Sequence, residues 1–141
     1  MVLVFYLSSF FFRLLSFIFL LLSFYTMNKI YYLSTCDTCK RIISELGLKA
    51  KAFEFQDIKT EKITAPQLEA MKKAAGSYEA LFSRVAMKYK TLDPKPTTEA
   101  EYKKLILEEY TFLKRPVIFI GEQAFVGNSK STIEQAKAAL K

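Results

Sequence analysis

The two cysteines of this chain, Cys36 and Cys39, are spaced C-x-x-C, and the residues around them leave few folds open. A short apolar run over residues 30–33 leads into them. A helical pattern follows, with Ile42, Ile43 and Leu46 apolar and Gly47 as the stop. The stretch reads as a strand, a tight turn, and a helix that opens at the cysteines. The first turn of a helix carries unpaired N–H groups and the positive end of the macrodipole. A thiol placed there ionises more readily, and the thiolate is the reactive form. Lys40 and Arg41 add positive charge nearby. Cys36 is therefore the expected nucleophile. Cys39, one turn along, is the thiol that can attack a mixed disulfide on Cys36.

Two other uses of the pair stand beside redox chemistry. One is a metal site, but the chain has no histidine and no second cysteine pair. A four-cysteine site, or one of two cysteines and two histidines, would need ligands shared between chains. The other is a pair of inert thiols. A C-x-x-C beside a βα pattern is a recognised redox signature. The sparse cysteine usage fits a reducing compartment, hence a cytoplasmic protein.

Residues 1–26 differ from the rest. They carry one charge, Arg13, and are otherwise apolar, aromatic or small and polar. About 24 helical residues of this stretch would reach about 36 Å, enough to span a bilayer. Three readings are open. A membrane anchor fits the length but places Arg13 near the middle, where charge is costly. A cleaved signal peptide lacks both an early basic region and a small-residue cleavage pattern. The third reading is a misassigned start, with the natural protein beginning at Met27. The first strand follows Met27 with no linker, which favours the third reading.

Residues 27–141 have the size of one domain. The chain as a whole carries a net charge of +7. No lysine or arginine block is interleaved with aromatics, so direct nucleic-acid binding is not expected. The basic balance suits a small anionic substrate or an acidic protein partner.

The elements follow from periodicity and caps. Strands are expected at 30–33 and 52–56, with a helix over 37–46 between them. Thr64 and Gln67 form a capping box, with Pro66 in the first turn, for a helix over 64–75 that Gly76 ends. A short helix is expected over 78–85 and a turn over 92–96. Thr98 and Glu101 cap a helix whose apolar stripe is Tyr102, Leu105, Ile106 and Tyr110. Residues 117–120 and 123–126 flank Gly121-Glu122 as a β-hairpin. Ser131 and Glu134 read as the box that opens a last helix to residue 140. The order is β-α-β, then a helical insertion over about 64–110, then β-β-α. This is an α/β chain, pointing to a thioredoxin-like fold with a mixed four-stranded sheet. Pro116, at the start of the third strand, is expected to be a structural cis-proline beside the cysteine turn.

Three stretches together carry a family resemblance: the C-x-x-C turn at Cys36, the segment from Leu81-Phe82-Ser83-Arg84 to Lys88-Tyr89, and Leu113-Lys114-Arg115-Pro116-Val117. With them the chain from Met27 to Leu140 resembles the arsenate reductase/Spx family of thioredoxin-like proteins. In glutaredoxin-coupled arsenate reductases of that family one cysteine attacks arsenate and arginines hold the oxyanion. The resemblance implies that Cys36 is the attacking cysteine, that Arg115 is the arginine before the proline, and that Arg84 falls at or beside another. Guanidinium groups suit this role, because they bind tetrahedral oxyanions through paired N–H bonds and lower a nearby thiol pKa. Lys40 adds a point charge for the substrate.

The chain also departs from the family's arsenate enzymes. Those usually carry Cys-Gly-Thr-Ser-Arg, whereas this chain has Cys36-Asp37-Thr38-Cys39-Lys40. A third oxyanion arginine is missing where Phe125-Val126-Gly127-Asn128 runs. The resemblance implies a thiol-dependent oxidoreductase, with no bound cofactor or metal, recycled by glutathione, glutaredoxin or thioredoxin. Its substrate would be a small anion or a protein thiol. The C-x-x-C also resembles Spx-type regulators, which implies the alternative of a redox-sensing protein that binds RNA polymerase. A membrane partner is expected only if residues 1–26 are retained.

Overall fold

The computed structural model describes the backbone of residues 2–23 and 28–141, with side chains described at 8–18 and 28–141. Met27, the expected natural start, lies outside the described residues. Helix α1 spans Val2–Ser23, and its described side chains are all exposed. Among the described residues, no helix is long and apolar enough to cross a membrane.

From Lys29 onward the chain builds a sheet covered on both faces. The elements are β1 Lys29–Tyr32, α2 Asp37–Glu45, β2 Glu54–Asp57, α3 Ala65–Ala75, α4 Tyr78–Leu81, α5 Met87–Thr91 and α6 Glu99–Glu108. They are followed by β3 Val117–Ile120, β4 Gln123–Val126 and α7 Lys130–Ala139. The strand order is β2-β1-β3-β4. β1 pairs parallel with β2 and antiparallel with β3, and β3 pairs antiparallel with β4. This is the expected mixed four-stranded α/β arrangement of a thioredoxin-like fold.

The two-residue alternation of the strands sorts the core. Ile30 and Ile118 face α2 and α7, where they meet Ile42, Ile43, Leu48 and Ile133. Tyr31, Val117 and Phe119 face the other way, towards α3, α4 and α6, and meet Leu68, Met71, Leu81 and Ile106. Both central strands are therefore apolar on both faces, as a doubly covered sheet requires.

Two buried polar side chains are paired. The Lys29 ammonium lies 2.7 Å from Glu54, its cross-strand neighbour on β2. Gln56, only 1 % exposed, exchanges two hydrogen bonds with Gln67: one carboxamide donates at 3.1 Å and the other returns the bond at 2.9 Å. The Gln67 carbonyl also accepts the Thr64 N–H at 3.0 Å, and its own N–H donates to the Thr64 hydroxyl. The capping box read from Thr64 and Gln67 thus also anchors α3 to β2.

Four local expectations shift. The second strand runs over Glu54–Asp57, because a tight turn, closed by the Phe53 N–H on the Lys51 carbonyl at 2.8 Å, takes up the residues before it. The short helix stops at Leu81 rather than continuing to residue 85, since Phe82 turns to extended backbone and bridges Leu113. Tyr110 lies beyond α6, in a 3-10 turn over Tyr110–Phe112. The last helix is capped by Ser129, whose hydroxyl accepts the Thr132 N–H, two residues before the expected box. The hairpin strands match the expected residues.

Replacing Gln56 with methionine keeps the volume but leaves the Gln67 carboxamide short of its partner. Loss of such a buried bond costs about 1–3 kcal/mol. Urea denaturation of Gln56→Met is expected to show a midpoint lowered accordingly with an unchanged slope.

Candidate active site

β1 delivers the chain into the cysteine turn. The Cys36 N–H donates to the Leu33 carbonyl at 3.0 Å, which closes the turn. Cys36 then sits as the N-cap of α2, with extended backbone and no capping bond from its side chain. The Lys40 N–H donates to the Cys36 carbonyl at 3.1 Å, the first bond of the helix. Cys36 is half-buried, and Cys39 is fully buried one turn along.

The two thiols are pushed in opposite directions. Burial works against a thiolate at Cys36, but hydrogen bonds from the Cys39 N–H and thiol, the Arg115 charge and the Thr38 N–H outweigh it. The Cys36 thiol is held below its ordinary value. At Cys39 burial dominates, helped by the hydrogen bond and charge of Cys36, and its thiol is pushed up to about 11. The chemical consequence is a matter of timing. Once Cys36 is bonded to another atom, its charge is gone and one cause that raises Cys39 goes with it. Cys39 then becomes easier to ionise.

A cavity of about 460 Å³ opens over Cys36. Its walls come from four stretches: Thr38 on α2, Glu79 to Val85 around the end of α4, Lys114 and Arg115 before β3, and Gly127 and Asn128 after β4. Two backbone bonds join the second and third stretches: Ser83 N–H to Phe112 at 2.7 Å, and Lys114 N–H to Leu81 at 2.8 Å. Phe82 fixes this junction from below. Its ring stacks on Phe112 with centroids 5.1 Å apart and meets Tyr89 and Tyr102 edge-on. Gly127, at φ 89°, turns the chain out of β4 in a conformation that side chains rarely adopt.

The cavity brings together Cys36, Arg115 and Arg84 of the expected site residues. The Arg115–Pro116 bond is cis, as expected of Pro116. Among the described residues, Arg115 Nη1 is the buried side-chain nitrogen without a hydrogen-bond partner. An unpaired, buried cationic N–H is costly unless an anion meets it. Arg84 is differently placed. Its Nη2 donates to Glu79 Oε1 at 2.5 Å and to the Tyr102 hydroxyl at 3.1 Å. Lys40 does not line this cavity. It borders a separate concavity with Tyr32 and Phe55, its ammonium 3.6 Å from Asp37.

Sequence reading missed Glu79, Lys114 and Asn128 as cavity residues. Glu79 and Arg84 are five apart, which on one continuous helix would separate their faces. The pair forms because the helix stops at Leu81. Asn128 lines the wall where the third arginine was noted as missing.

Fold and site define a thioredoxin-like protein with a thiol pair of unequal acidity. The ArsC family model matches residues 31–136, and the chain belongs to that family. No curated protein matches it. Among solved structures it is similar to the YffB protein, at 25% identity and a TM-score of 0.71, over 82% of this chain and 100% of that one. An arsenate reductase related protein from Brucella melitensis matches at 25% identity and a TM-score of 0.59, over 77% of this chain and 92% of that one. The arsenate reductase from Vibrio cholerae, at 17% identity, shares the fold with a TM-score of 0.62, over 78% of this chain and 94% of that one. Family membership and the paired cysteines support a thiol-dependent redox role.

The thiol shifts predict selective alkylation. With the reduced protein, iodoacetamide should label Cys36 alone at neutral pH, and Cys39 only as the pH nears about 11. Arg115→Ala removes a charge that favours the Cys36 thiolate, so the midpoint of its labelling rate should move to higher pH. Peptide mass mapping across a pH series checks both.

Proposed function

We propose that this protein is a two-cysteine thiol oxidoreductase of the arsenate reductase type, with Cys36 as nucleophile and Cys39 as resolving thiol. The observation that carries this reading is the opposed acidity of the two thiols within one helical turn, beside Arg115. The Cys36 thiolate attacks an electrophilic centre and forms a covalent adduct. With a disulfide substrate, one sulfur bonds to Cys36 and the other leaves as a thiolate. Cys39 then gives up its proton and attacks Cys36 Sγ. The Cys36–Cys39 bond forms, and the remaining substrate sulfur leaves with the electron pair. The substrate gains two electrons, and the protein dithiol becomes a disulfide. An external thiol, namely glutathione, glutaredoxin or thioredoxin, restores the dithiol by the same exchange.

With arsenate the adduct is a sulfur–arsenic bond, formed with loss of water. Attack of Cys39 on Cys36 Sγ breaks it, and arsenic leaves as arsenite with the electron pair. Arsenate is a poor match for the cavity. Of the two arginines, Arg115 has a free buried N–H, and Arg84 has its Nη2 engaged by Glu79 and Tyr102. A missing charge-assisted bond is worth about 1.5–3 kcal/mol, or about ten- to a hundredfold in rate or affinity. The cavity volume of about 460 Å³ lies in the range that holds organic ligands rather than a five-atom oxyanion.

Steady-state turnover of arsenate and of a small neutral disulfide, with each donor system, tests the proposal. Wild type should reduce the disulfide readily and arsenate weakly, with a high KM. Cys36→Ser should abolish both. Cys39→Ser should keep a single turnover but need an outside thiol to resolve the adduct. Arg115→Ala should lower arsenate turnover about ten- to a hundredfold. Efficient turnover by Cys36→Ser would overturn the mechanism. No wild-type turnover with any donor would favour the redox-sensing, polymerase-binding alternative.

A further inference from the structure

We propose that Glu79 sets the charge specificity of the Cys36 cavity: by holding Arg84, it selects against inorganic tetrahedral dianions and for organic substrates bearing at most one negative charge. The proposal rests on the reading of this cavity as the substrate site.

The side chain of Glu79 has no evident structural task. The start of α4 is held instead by Glu99, whose carboxylate accepts the Tyr78 N–H at 2.7 Å and the Glu79 N–H at 3.1 Å. Ser77 adds the cap through its hydroxyl, which accepts the Ala80 N–H at 3.0 Å. Among the described residues, the Glu79 carboxylate pairs with Arg84 and with no other cation. Both side chains are about half exposed, so the pair contributes little to stability. What it does is chemical. It places a carboxylate on the cavity wall and occupies Arg84 Nη2, which the Tyr102 hydroxyl shares.

Charge matching leads to the same result. Three cations line the cavity, Arg84, Lys114 and Arg115, against the Glu79 carboxylate and the Cys36 thiolate. One net positive charge remains, which matches a monoanion. A tetrahedral dianion would leave the cavity net negative beside a nucleophile that must itself stay negative. Removing the Glu79 charge would leave the cavity matched to a dianion and would release Arg84 Nη2 from its carboxylate partner, leaving only the Tyr102 hydroxyl on it.

The experiment measures anion binding by protection of Cys36. Sulfate serves as the ligand, being a tetrahedral dianion that thiols do not reduce. The concentration that halves the iodoacetamide labelling rate of Cys36 is determined for each variant. Glu79→Gln should lower that concentration about three- to tenfold relative to wild type, a range set by one charged hydrogen bond at a partly solvated site. The gain should vanish in Glu79→Gln/Arg84→Ala. Glu79→Asp, which keeps the charge, should stay close to wild type. Tyr102→Phe, which removes the other partner of Arg84, should give a smaller gain in the same direction. An unchanged midpoint in Glu79→Gln would overturn the proposal, as would a gain that survives loss of Arg84. This readout needs no turnover. A failed redox assay with the expected sulfate shifts would count against the proposed reaction and leave the role of Glu79 standing.

Discussion

The site depends on β1 being held from both sides. Lys29, Ile30 and Tyr31 pair with β2 along one edge and with β3 along the other, and their side chains alternate into the two halves of the core. A strand fixed in this way has no freedom to slide, because a one-residue slip would exchange the two buried faces. Cys36 follows four residues after β1 ends, through a turn closed by its own N–H on Leu33. The position of the Cys36 thiol is thus inherited from a strand paired on both edges. β3, the partner of β1, begins immediately after Arg115 and Pro116. One strand pairing therefore brings the thiol and its guanidinium neighbour to the same end of the sheet.

That proximity sets two effects of Arg115 against each other. Its charge favours the thiolate of Cys36, and its free N–H is a contact point for an anion. An anion bound at Arg115 offsets part of the charge that keeps Cys36 ionised. The hydrogen bonds from Cys39 and Thr38 do not depend on the substrate, and they hold the thiolate when Arg115 is shared. The N-terminus of α2 works in the same direction. The Cys36 thiolate is therefore supported mainly by its own helix, and the Arg115 N–H is left free for an anion.

The order of elements, the sheet, the C-x-x-C turn and two capping boxes were legible in the sequence, because each depends on short-range periodicity or on a cap with a fixed spacing. Ser129 was missed for a local reason. Ser131 and Glu134 also satisfy the capping-box pattern, and only the path of the chain out of β4 decides between the two serines. The cavity was half legible. Cys36 and Arg115 are marked by the motif and by the proline. Glu79, Lys114 and Asn128 come from three separate stretches that meet through tertiary packing. Lys40 shows the converse case. Sequence proximity to the cysteines points to a role at the substrate, but Lys40 borders a separate concavity with Tyr32 and Phe55.

The two halves of the site come from different parts of the chain, and this separates reactivity from selectivity. The thiols, the helix start and Arg115 belong to the sheet framework, where a change would disturb β1, β3 or α2. Glu79, Phe82, Arg84 and Val85 belong to the helical segment between β2 and β3, joined to the framework through the Phe82–Leu113 bridge and the stacked rings beneath it. Phe82 is buried and central to that junction, so its replacement would move the whole wall. Glu79, Arg84 and Val85 are exposed at the rim, and Val85 is 89% exposed. Residues at such positions can change with little cost to the fold. Substitutions at the rim can therefore alter the charge of the cavity while the cysteine turn beneath stays fixed.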